Sequence, residues 1–420
     1  MGDDRNKMRL LLEAPILTRS GYGEHARLVY RSLKDVPNLE IFIKAVDWGN
    51  TSWEAEYPED IHKCIVAYTD HLNECEVNRT QESYDIQVHV GILNEFEKQA
   101  PYSVVVTAGI ETDKVSSNWL IKTNQGVNKV IVPSNHSRDG FLTTSYEVTN
   151  TVKNITTTIN CGAPVEVVPY PVKDHEDFNL DLDLETDFNF VNVALLGSRK
   201  NIENSIDWFL EEFKDDPNVG YIIKTARSRG SLTDRRYVKS LFEKLKAQHP
   251  DSKCKIYLMH GNMKEEEIHA LYKHPKVKAY LTSTLGEGFG LPIFEAAYSG
   301  LPIIATDWSG HLDFLSAPYK EGGKVKNKKL FSKIGYTIAK VPDHVVWKDV
   351  IIEESCWAYP DPTSLKKQIR KVYENHGMYK KWALSLQEYV KEEFSEDKVR
   401  NKMRKAILQD YLQSEDNQTK

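Results

Sequence analysis

The sequence lacks long apolar runs, and this absence sets the first limits on its function. Apolar runs such as Leu10–Leu12 and Val104–Val106 are far shorter than the roughly 20 residues that a membrane-spanning helix needs. The first residues are acidic, and no apolar signal-peptide core follows them. We therefore expect no transmembrane segment and no secretion, and we predict a cytoplasmic protein.

Cysteine is scarce, and neither sign of charge dominates. The five cysteines are odd in number and scattered, without a CxxC pair, so neither a zinc knuckle nor a disulfide framework is indicated. The net charge of −6 provides no global positive field that would hold the chain on nucleic acid or anionic lipid. A composition of 40% hydrophobic and 28% charged residues is typical of a folded protein, and 420 residues are too many for one ordinary core.

Short runs rich in valine and isoleucine alternate with amphipathic stretches, which is the pattern of βα units around a parallel sheet. The alternation stops at the acidic stretch Lys173–Asp187 and then restarts. We predict an α/β fold of two Rossmann-like, doubly wound domains facing a cleft, with ligand at the carboxyl ends of the strands. The predicted boundaries are 1–175 and 176–393, followed at 394–420 by a C-terminal helix that crosses back to the first domain and a frayed tail. Lys320–Val350 has no clear period and is predicted to be an insertion or surface loop.

The strand predictions are Met8–Ala14, Leu39–Val46, Asp85–Ile92, Ser103–Ile110, Lys129–Pro133, Val165–Val172 (an edge strand), Phe190–Leu196, Val219–Lys224, Lys255–Met259, Val277–Thr282 and Pro302–Thr306. The helix predictions in the same regions are Glu24–Leu33, Ile202–Phe213, Asp234–Gln248, Glu265–Lys273 and Pro292–Tyr298.

The most informative segment follows the predicted strand Val277–Thr282. Its loop reads Gly286-Glu287-Gly288-Phe289-Gly290, and glycines permit close approach of a ligand to the backbone. Pro292 suits the start of a helix, which places Glu295 in its first turn and Glu287 in the loop before it. Free N–H groups at a helix N-terminus favour a phosphate, and carboxylates accept hydrogen bonds from sugar hydroxyls. The segment therefore indicates a site for a nucleotide sugar.

This segment resembles the donor-site signature, E-x7-E, of the retaining GT-B glycosyltransferases of glycosyltransferase family 4. Other stretches follow in the family's order: SGYG (Ser20–Gly23), VIVPS (Val130–Ser134), VVPYPV (Val167–Val172), RKN (Arg199–Asn201), YIIKT (Tyr221–Thr225) and WAYPD (Trp357–Asp361). The resemblance extends over nearly the whole chain and is most specific in Val191–Asp313, and the pattern is similar to that of phage-encoded members.

The resemblance implies roles for the two glutamates. Glu295 is expected to bind the ribose of a nucleoside diphosphate sugar, and Glu287 is expected to contact the transferred sugar. The diphosphate is expected to lie on the backbone of four residues: Gly288, Phe289, Gly290 and Leu291. The resemblance also implies retention of configuration by front-face attack, with the donor phosphate taking the acceptor proton, and no metal or other cofactor.

A leaving diphosphate also needs cations. A cation about 4 Å from a phosphate oxygen gains roughly 4 kcal/mol at an effective dielectric constant near 20, and attraction that grows as the bond breaks lowers the barrier. Arg199 and Lys200, after the first strand of the second domain, are candidates, and the sequence leaves open which of them reaches the diphosphate. Lys224 ends the next strand, where an unpaired lysine is costly. His260, after the strand beyond, is a candidate for the nucleobase.

The predicted first domain offers fewer candidates. A short loop after its first strand could approach donor or acceptor closely, and a simple packing turn is the alternative; its residues are Gly21, Tyr22 and Gly23. Glu111 stands at about the place where many family members have a histidine near the sugar. His89, at the end of the preceding strand, is a second candidate, with a structural role as the alternative.

Several other readings remain open. Asp181-Leu182-Asp183 matches the DxD of metal-dependent transferases, but it lies in the acidic linker, so we expect no metal site there.

The acceptor is expected to be a saccharide or glycolipid. The first alternative is a phage DNA glycosyltransferase in the host cytoplasm that modifies hydroxymethylated cytosine, with Lys324–Lys333 and the four arginines Arg227, Arg229, Arg235 and Arg236 as its phosphate-binding clusters. The second is a non-catalytic, two-lobed sugar-binding protein.

Overall fold

The computed structural model describes residues 7–54, 56–150, 155–228 and 230–418, and the chain forms two compact units. Unit 1 consists of Met1–Pro171, Pro342–Ser355 and Glu396–Lys420, and unit 2 of Val172–Val341 and Cys356–Ser395. The segment Pro342–Ser355 was predicted within the second domain, and this assignment is wrong. The segment belongs to unit 1 because Val350 is buried in that unit's core and Ile351 packs against it.

Unit 1 is built around a six-stranded parallel sheet with the order β2-β1-β3-β4-β5-β8. Its elements are β1 (Met8–Ala14), α1 (Gly21–Leu33), β2 (Leu39–Ala45), α2 (Glu59–Asn78), β3 (Ile86–Val90), β4 (Tyr102–Val106), α3 (Ser117–Asn124), β5 (Lys129–Val132), α4 (Asn135–Thr143), the antiparallel hairpin β6 (Tyr146–Asn150) and β7 (Ile155–Ile159), and β8 (Val165–Val167). The central strands β4 and β5 are buried on both faces, which is why their sequences read as nearly continuous apolar runs.

Unit 2 repeats this architecture with the sheet order β11-β10-β9-β12-β13-β16, again parallel. Its elements are β9 (Phe188–Val193), α5 (Ile202–Glu212), β10 (Val219–Thr225), α6 (Leu232–Ala247), β11 (Lys255–His260), α7 (Glu265–Lys273), β12 (Val277–Leu281), α8 (Leu291–Tyr298), β13 (Ile303–Thr306), β14 (Ser316–Glu321), β15 (Lys324–Lys329), β16 (Ser332–Ile334), β17 (Tyr336–Lys340), β18 (Cys356–Pro360), α9 (Pro362–Glu374) and α10 (His376–Glu393).

The last helix, α11 (Glu396–Gln418), packs with unit 1. Val399, Met403 and Ile407 of this helix are buried in the unit 1 core. The Lys129 ammonium, at the start of β5, lies 2.9 Å from the Asp410 carboxylate on α11. Apolar burial along one face and an ion pair near its end therefore fix this helix against unit 1.

The predicted strands are all present, with ends shifted by a few residues, and the short edge strand β8 accords with the prolines that follow it. The prediction of a loop at Lys320–Val350 is wrong. The antiparallel strands β14 and β15 form a hairpin there, and β16 pairs with β13 at the edge of the main sheet. This region was missed because β15 is exposed and consists of lysines, one valine and one asparagine, so it has no apolar alternation to detect.

Candidate active site

Both sheets contain a topological switch point, where consecutive strands are added on opposite sides of the first one. In unit 2 the chain proceeds from β9 to β10 and β11 on one side and then returns to place β12 beside β9. The loops after β9 and β12 therefore diverge at the carboxyl edge of the sheet, which is where open α/β sheets bind ligands. Arg199 and Lys200 lie after β9, and Glu287 lies after β12.

These three side chains form one ionic cluster. Nη1 of Arg199 lies 3.0 Å from Oε2 of Glu287, and Nζ of Lys200 lies 2.5 Å from Oε1. The hydroxyl of Thr284 donates to Oε1 at 2.8 Å, and Arg199 also donates to the carbonyl of Gly286 at 2.6 Å. Only 6% of the Glu287 surface is exposed, so the carboxylate is not a solvated surface group. The sequence left open whether Arg199 or Lys200 reaches the site. In the structure, both side chains contact Glu287.

The electrostatics of Glu287 follow from this geometry. Burial by itself raises the pKa of a carboxyl group. The charges of Arg199 and Lys200, together with the hydrogen bonds from Lys200 and Thr284, outweigh burial and lower the pKa of Glu287 to about 2. Glu287 is consequently an anion throughout the neutral range, and the cluster of two cations and one carboxylate carries a net charge of +1.

Helix α8 begins immediately behind this cluster. Gly290, with φ of 91°, is its N-cap, and Leu291 and Pro292 open its first turn. Glu295 is the fifth residue of the helix, so the prediction of a first-turn position is wrong: the helix starts one residue earlier than the proline suggested. Glu295 is half-buried in the second turn, where the hydroxyl of Tyr272 donates to its Oε2 at 3.4 Å.

The loop before α8 presents backbone rather than side chains. The ring of Phe289 lies 5.1 Å from that of Phe294 and 5.0 Å from that of Phe314, within an aromatic cluster. The following turn braces the loop, because the N–H of Gly310 donates to the carbonyl of Glu287 at 2.9 Å. A Cβ at Gly310 would lie 2.1 Å from the Gly288 carbonyl oxygen, so only glycine permits this contact.

Lys224, the penultimate residue of β10, is a half-buried cation. Among the described residues, its ammonium group makes no hydrogen bond or salt bridge. Burial lowers the pKa of Lys224, and the negative charge of Glu295 partly offsets this shift. The ammonium is therefore near enough to Glu295 to interact with it electrostatically, without being neutralised by a direct contact.

At the end of the next strand, His260 lies beside the loop that leads into α6. Its Nε2 is 3.6 Å from Oδ1 of Asp234 and makes no hydrogen bond within the described part of the chain. The Asp234 carboxylate accepts the backbone N–H groups of Arg227, Ser228 and Gly230 at 3.0, 3.0 and 3.1 Å. Asp234 thus shapes the loop at the edge formed by β10 and β11. The sequence assigns no role to Asp234, Thr284 or Tyr272, because none of them is one of the glutamates of the E-x7-E spacing or a candidate cation.

The glycine loop of unit 1 forms the start of α1. Ser20 caps the helix by accepting the N–H of Gly23 at 2.9 Å, and a Cβ at Gly23 would lie 2.1 Å from the Thr18 carbonyl oxygen. Tyr22 is buried, and its hydroxyl contacts that of Thr107 at 2.9 Å, at the end of β4. The Gly21 carbonyl accepts the hydroxyl of Tyr170 at 3.0 Å. These contacts are those of a packing turn, which was the alternative for Gly21, Tyr22 and Gly23.

The other candidates of unit 1 lie at the ends of its central strands. Nδ1 of His89 is 3.1 Å from Oε2 of Glu13, and the Lys44 ammonium is 2.7 Å from Oε1 of the same carboxylate. His89 is buried in this cluster, at the switch point between β1 and β3. Burial raises the pKa of Tyr22 to about 12, and the negative charge of Glu111, which is half-buried beyond the end of β4, adds to this shift.

The remaining motifs have structural contacts or lie on the surface. Asp181 and Asp183 are exposed in a segment without regular structure, and no group of three or more His, Cys, Asp or Glu that could hold a metal ion occurs among the residues described. In the basic clusters, the Arg227 guanidinium stacks on Tyr237 and the Lys329 ammonium lies 2.5 Å from Asp307, while Arg229 is outside the described residues. Within the described ranges, no helix has the length and apolarity required to cross a bilayer.

The family match found by comparison with known proteins lies within unit 2. Residues 176–329 match the family model of the glycosyl transferases group 1. Over 117 residues the chain is 34% identical to the GtfA subunit of a UDP-N-acetylglucosamine–peptide N-acetylglucosaminyltransferase from Streptococcus parasanguinis. That match covers 27% of this chain and 20% of the relative, so it spans only about a fifth of the relative's length.

Solved structures resemble the fold over nearly its whole length. Sucrose-phosphate synthase from Thermosynechococcus elongatus matches with a TM-score of 0.59 at 12% identity, covering 97% of this chain and 100% of that one. Anabaena HepE in complex with UDP and glucose matches with a TM-score of 0.55 at 13% identity, covering 94% and 98%. These likenesses confirm the predicted fold class of two Rossmann-like domains. Together with the family match they support a glycosyltransferase of the GT-B fold.

Proposed function

We propose, from the family match over residues 176–329 and the chemistry of the site in unit 2, that the protein transfers a hexosyl or pentosyl group from a nucleoside diphosphate sugar to an acceptor hydroxyl. The observation that carries the proposal is the ionic cluster at the switch point between β9 and β12. Arg199, Lys200 and Glu287 lie there with a net positive charge, in front of a helix N-terminus, and the half-buried Lys224 lies near the end of the adjacent strand β10. A diphosphate is the ligand whose charge complements this arrangement.

Each group has a proposed role. The backbone N–H groups at the start of α8, from Gly288 to Leu291, hold the diphosphate, and Arg199, Lys200 and Lys224 neutralise it. Glu287 contacts hydroxyls of the transferred sugar, and Glu295 accepts the ribose hydroxyls. His260 lies beside the nucleobase. Attraction between these cations and the diphosphate grows as the bond between the anomeric carbon and the phosphate oxygen breaks, so it lowers the barrier.

We propose that the reaction retains the configuration of the anomeric carbon. The acceptor oxygen attacks on the face from which the diphosphate leaves, and the departing phosphate oxygen takes the acceptor proton. The bond broken is that between the anomeric carbon and phosphate, and the bond formed joins the same carbon to the acceptor. The resemblance to family 4 supports this course, which requires neither a protein nucleophile nor a metal.

Thermal unfolding with a panel of nucleoside diphosphates and their sugars tests the donor. A ligand present at 100 times its Kd stabilises the native state by about 2.7 kcal/mol, so the correct nucleotide will raise the Tm above the others. Glu295→Gln should abolish the preference for ribose over deoxyribose nucleotides, because the carboxylate that receives the 2′-hydroxyl is removed. Glu374→Gln at the end of α9 is the control. No shift with any nucleotide in the wild-type protein would contradict the proposal.

The acceptor is proposed to be a saccharide or glycolipid. The partial match to a peptide N-acetylglucosaminyltransferase adds a peptide as a second acceptor class. Once the donor is known, radiolabelled transfer to oligosaccharide, glycolipid, peptide and hydroxymethylated DNA distinguishes these acceptors. Product on DNA alone would favour the phage-type alternative. Tight binding of free sugar without transfer to any acceptor would favour the non-catalytic one.

A further inference from the structure

Ser309 has a backbone conformation that is almost confined to glycine. Its φ is 86° and its ψ is −167°, a region in which a Cβ atom is strained against the backbone. The residue follows β13 in the turn that braces the loop of Glu287, and only 5% of its surface is exposed. A glycine would adopt this conformation without strain, so the presence of a serine requires a reason.

The hydroxyl of Ser309 supplies that reason. Its Oγ accepts the backbone N–H of Glu287 at 2.9 Å. The neighbouring N–H of Gly310 donates to the carbonyl of the same residue at 2.9 Å. The peptide groups on both sides of the Glu287 Cα are therefore held by two consecutive residues of one turn, and the serine hydroxyl provides one of the two bonds.

A buried histidine fixes the direction of this hydrogen bond. Nε2 of His311 lies 2.7 Å from the Thr306 carbonyl, so this nitrogen carries the proton and Nδ1 is an acceptor. Nδ1 lies 3.4 Å from Oγ of Ser309, which places the serine proton on the side of the histidine. Burial lowers the pKa of His311, so the ring stays neutral and keeps this arrangement. The Ser309 oxygen is left to accept from Glu287.

We propose that Ser309 is a positioning residue for transfer: its hydroxyl, held in a strained backbone, fixes the Glu287 peptide so that the carboxylate meets Arg199, Lys200 and the donor sugar together. This proposal rests on the proposed function of the site. Ser309 touches neither donor nor acceptor in this role. It acts through Glu287, whose carboxylate is oriented from the other side by the two cations and Thr284.

The test compares two substitutions that separate the hydroxyl from the strain. Ser309→Ala removes the hydroxyl and keeps the strained Cβ, whereas Ser309→Gly removes both. We expect kcat to fall on the order of tenfold in both variants, the effect of losing one hydrogen bond that positions Glu287, with the donor KM changed less than about twofold. The Tm without ligand should be higher for Ser309→Gly than for Ser309→Ala, because glycine relieves the strain.

Ser332→Ala is the matched control, since it removes a buried serine hydroxyl that donates to Gln368 on α9 at 2.9 Å, in the same unit. It should lower the Tm and leave kcat unchanged. Wild-type kcat in Ser309→Gly would overturn the proposal, as would a Tm of Ser309→Ala equal to or above that of Ser309→Gly. The proposed function fails separately: it is rejected if the wild-type protein neither binds nor uses any nucleoside diphosphate sugar, which is measured first.

Discussion

Within the candidate site, Glu287 is a buried carboxyl group whose pKa is lowered strongly. Glu287 is buried, yet it is surrounded by an arginine, a lysine and a hydroxyl, so its charged form is favoured. A folded protein tolerates buried charges when they are paired. Here Glu287 is paired with both Arg199 and Lys200, so one positive charge is in excess. The residue chemistry of the cluster therefore favours an anionic ligand over a neutral one.

The first prediction concerns the ionisation of Glu287. Its pKa is about 2 in the folded protein, against an ordinary value of 4.5, so its ionisation stabilises the fold above pH 4.5 and this contribution is lost as the pH falls toward 2. Chemical denaturation of the wild type and Glu287→Gln should show a stability difference at pH 7 that narrows by about 1.4 kcal/mol at pH 3.5. A stability difference that does not change with pH would mean that Arg199 and Lys200 do not lower the pKa of Glu287.

The second prediction concerns Lys224, whose ammonium is half-buried without a direct partner among the described residues. Lys224→Met should raise the Tm of the ligand-free protein, because burial already disfavours the charge. The same substitution should weaken nucleoside diphosphate binding by about 10- to 1,000-fold, as expected for a lost charge-assisted contact. Calorimetric titration measures the affinity. Lys278→Met, near the amino-terminal end of β12, is the control and should leave it unchanged.

At the scale of elements, the sequence predicted those parts that have a strong local pattern. The central strands are apolar on both faces, and α7 was predicted with its exact ends because its charged and apolar positions are clearly separated. The predicted start of α8 was one residue too late. Proline is accepted at either of the first two helical positions, and here Gly290 is the N-cap, so Pro292 is the second residue of the helix. That single step moved Glu295 from the first turn to the second.

Elements and contacts without a local pattern were not predictable. The hairpin of β14 and β15 is held by pairing between two polar segments, and α9 and α10 were not distinguished from their surroundings. Within the site, the motif residues were found from the E-x7-E spacing, whereas Thr284, Asp234 and Ser309 act through contacts that form only after the loops fold. The conformation of Ser309 in particular has no signature in the sequence, because serine is common in turns of every kind.

The third prediction belongs to α1, which contains a fully buried histidine. Neither ring nitrogen of His25 has a hydrogen-bond partner among the described residues, and burial lowers its pKa to about 3. Below pH 6.5 the unfolded chain binds a proton that the folded one does not, so stability falls as the pH falls from 6.5 toward 3. Between pH 7.5 and 5.0 the wild type should lose about 2 kcal/mol more than His25→Leu in urea unfolding. Equal losses in the two proteins would indicate that the ring is charged or hydrogen-bonded in the native state.

At the scale of the whole molecule, the chain crosses between the two units more than once. Unit 1 is completed by Pro342–Ser355 and by α11, which follow or interrupt unit 2 in the sequence. All the proposed donor residues, from Arg199 to Glu295, lie in unit 2. Nucleotide binding and the integrity of unit 1 should therefore be separable by mutation, although the two units are joined by several chain segments.

The fourth prediction tests this separation. Met403 on α11 is buried in the core of unit 1, so Met403→Asp places an unpaired carboxylate among apolar side chains and should destabilise that unit by about 3–5 kcal/mol. Asn401→Asp, which introduces the same charge at an exposed position of the same helix, should be nearly neutral. Hydrogen exchange will show accelerated opening of β1 to β5 in Met403→Asp and unchanged protection of β9, β10 and β12.

The nucleoside diphosphate that stabilises the wild type should still protect the loop before α8 in Met403→Asp. Loss of that protection would mean that the donor site depends on unit 1, contrary to a site built from unit 2 residues alone.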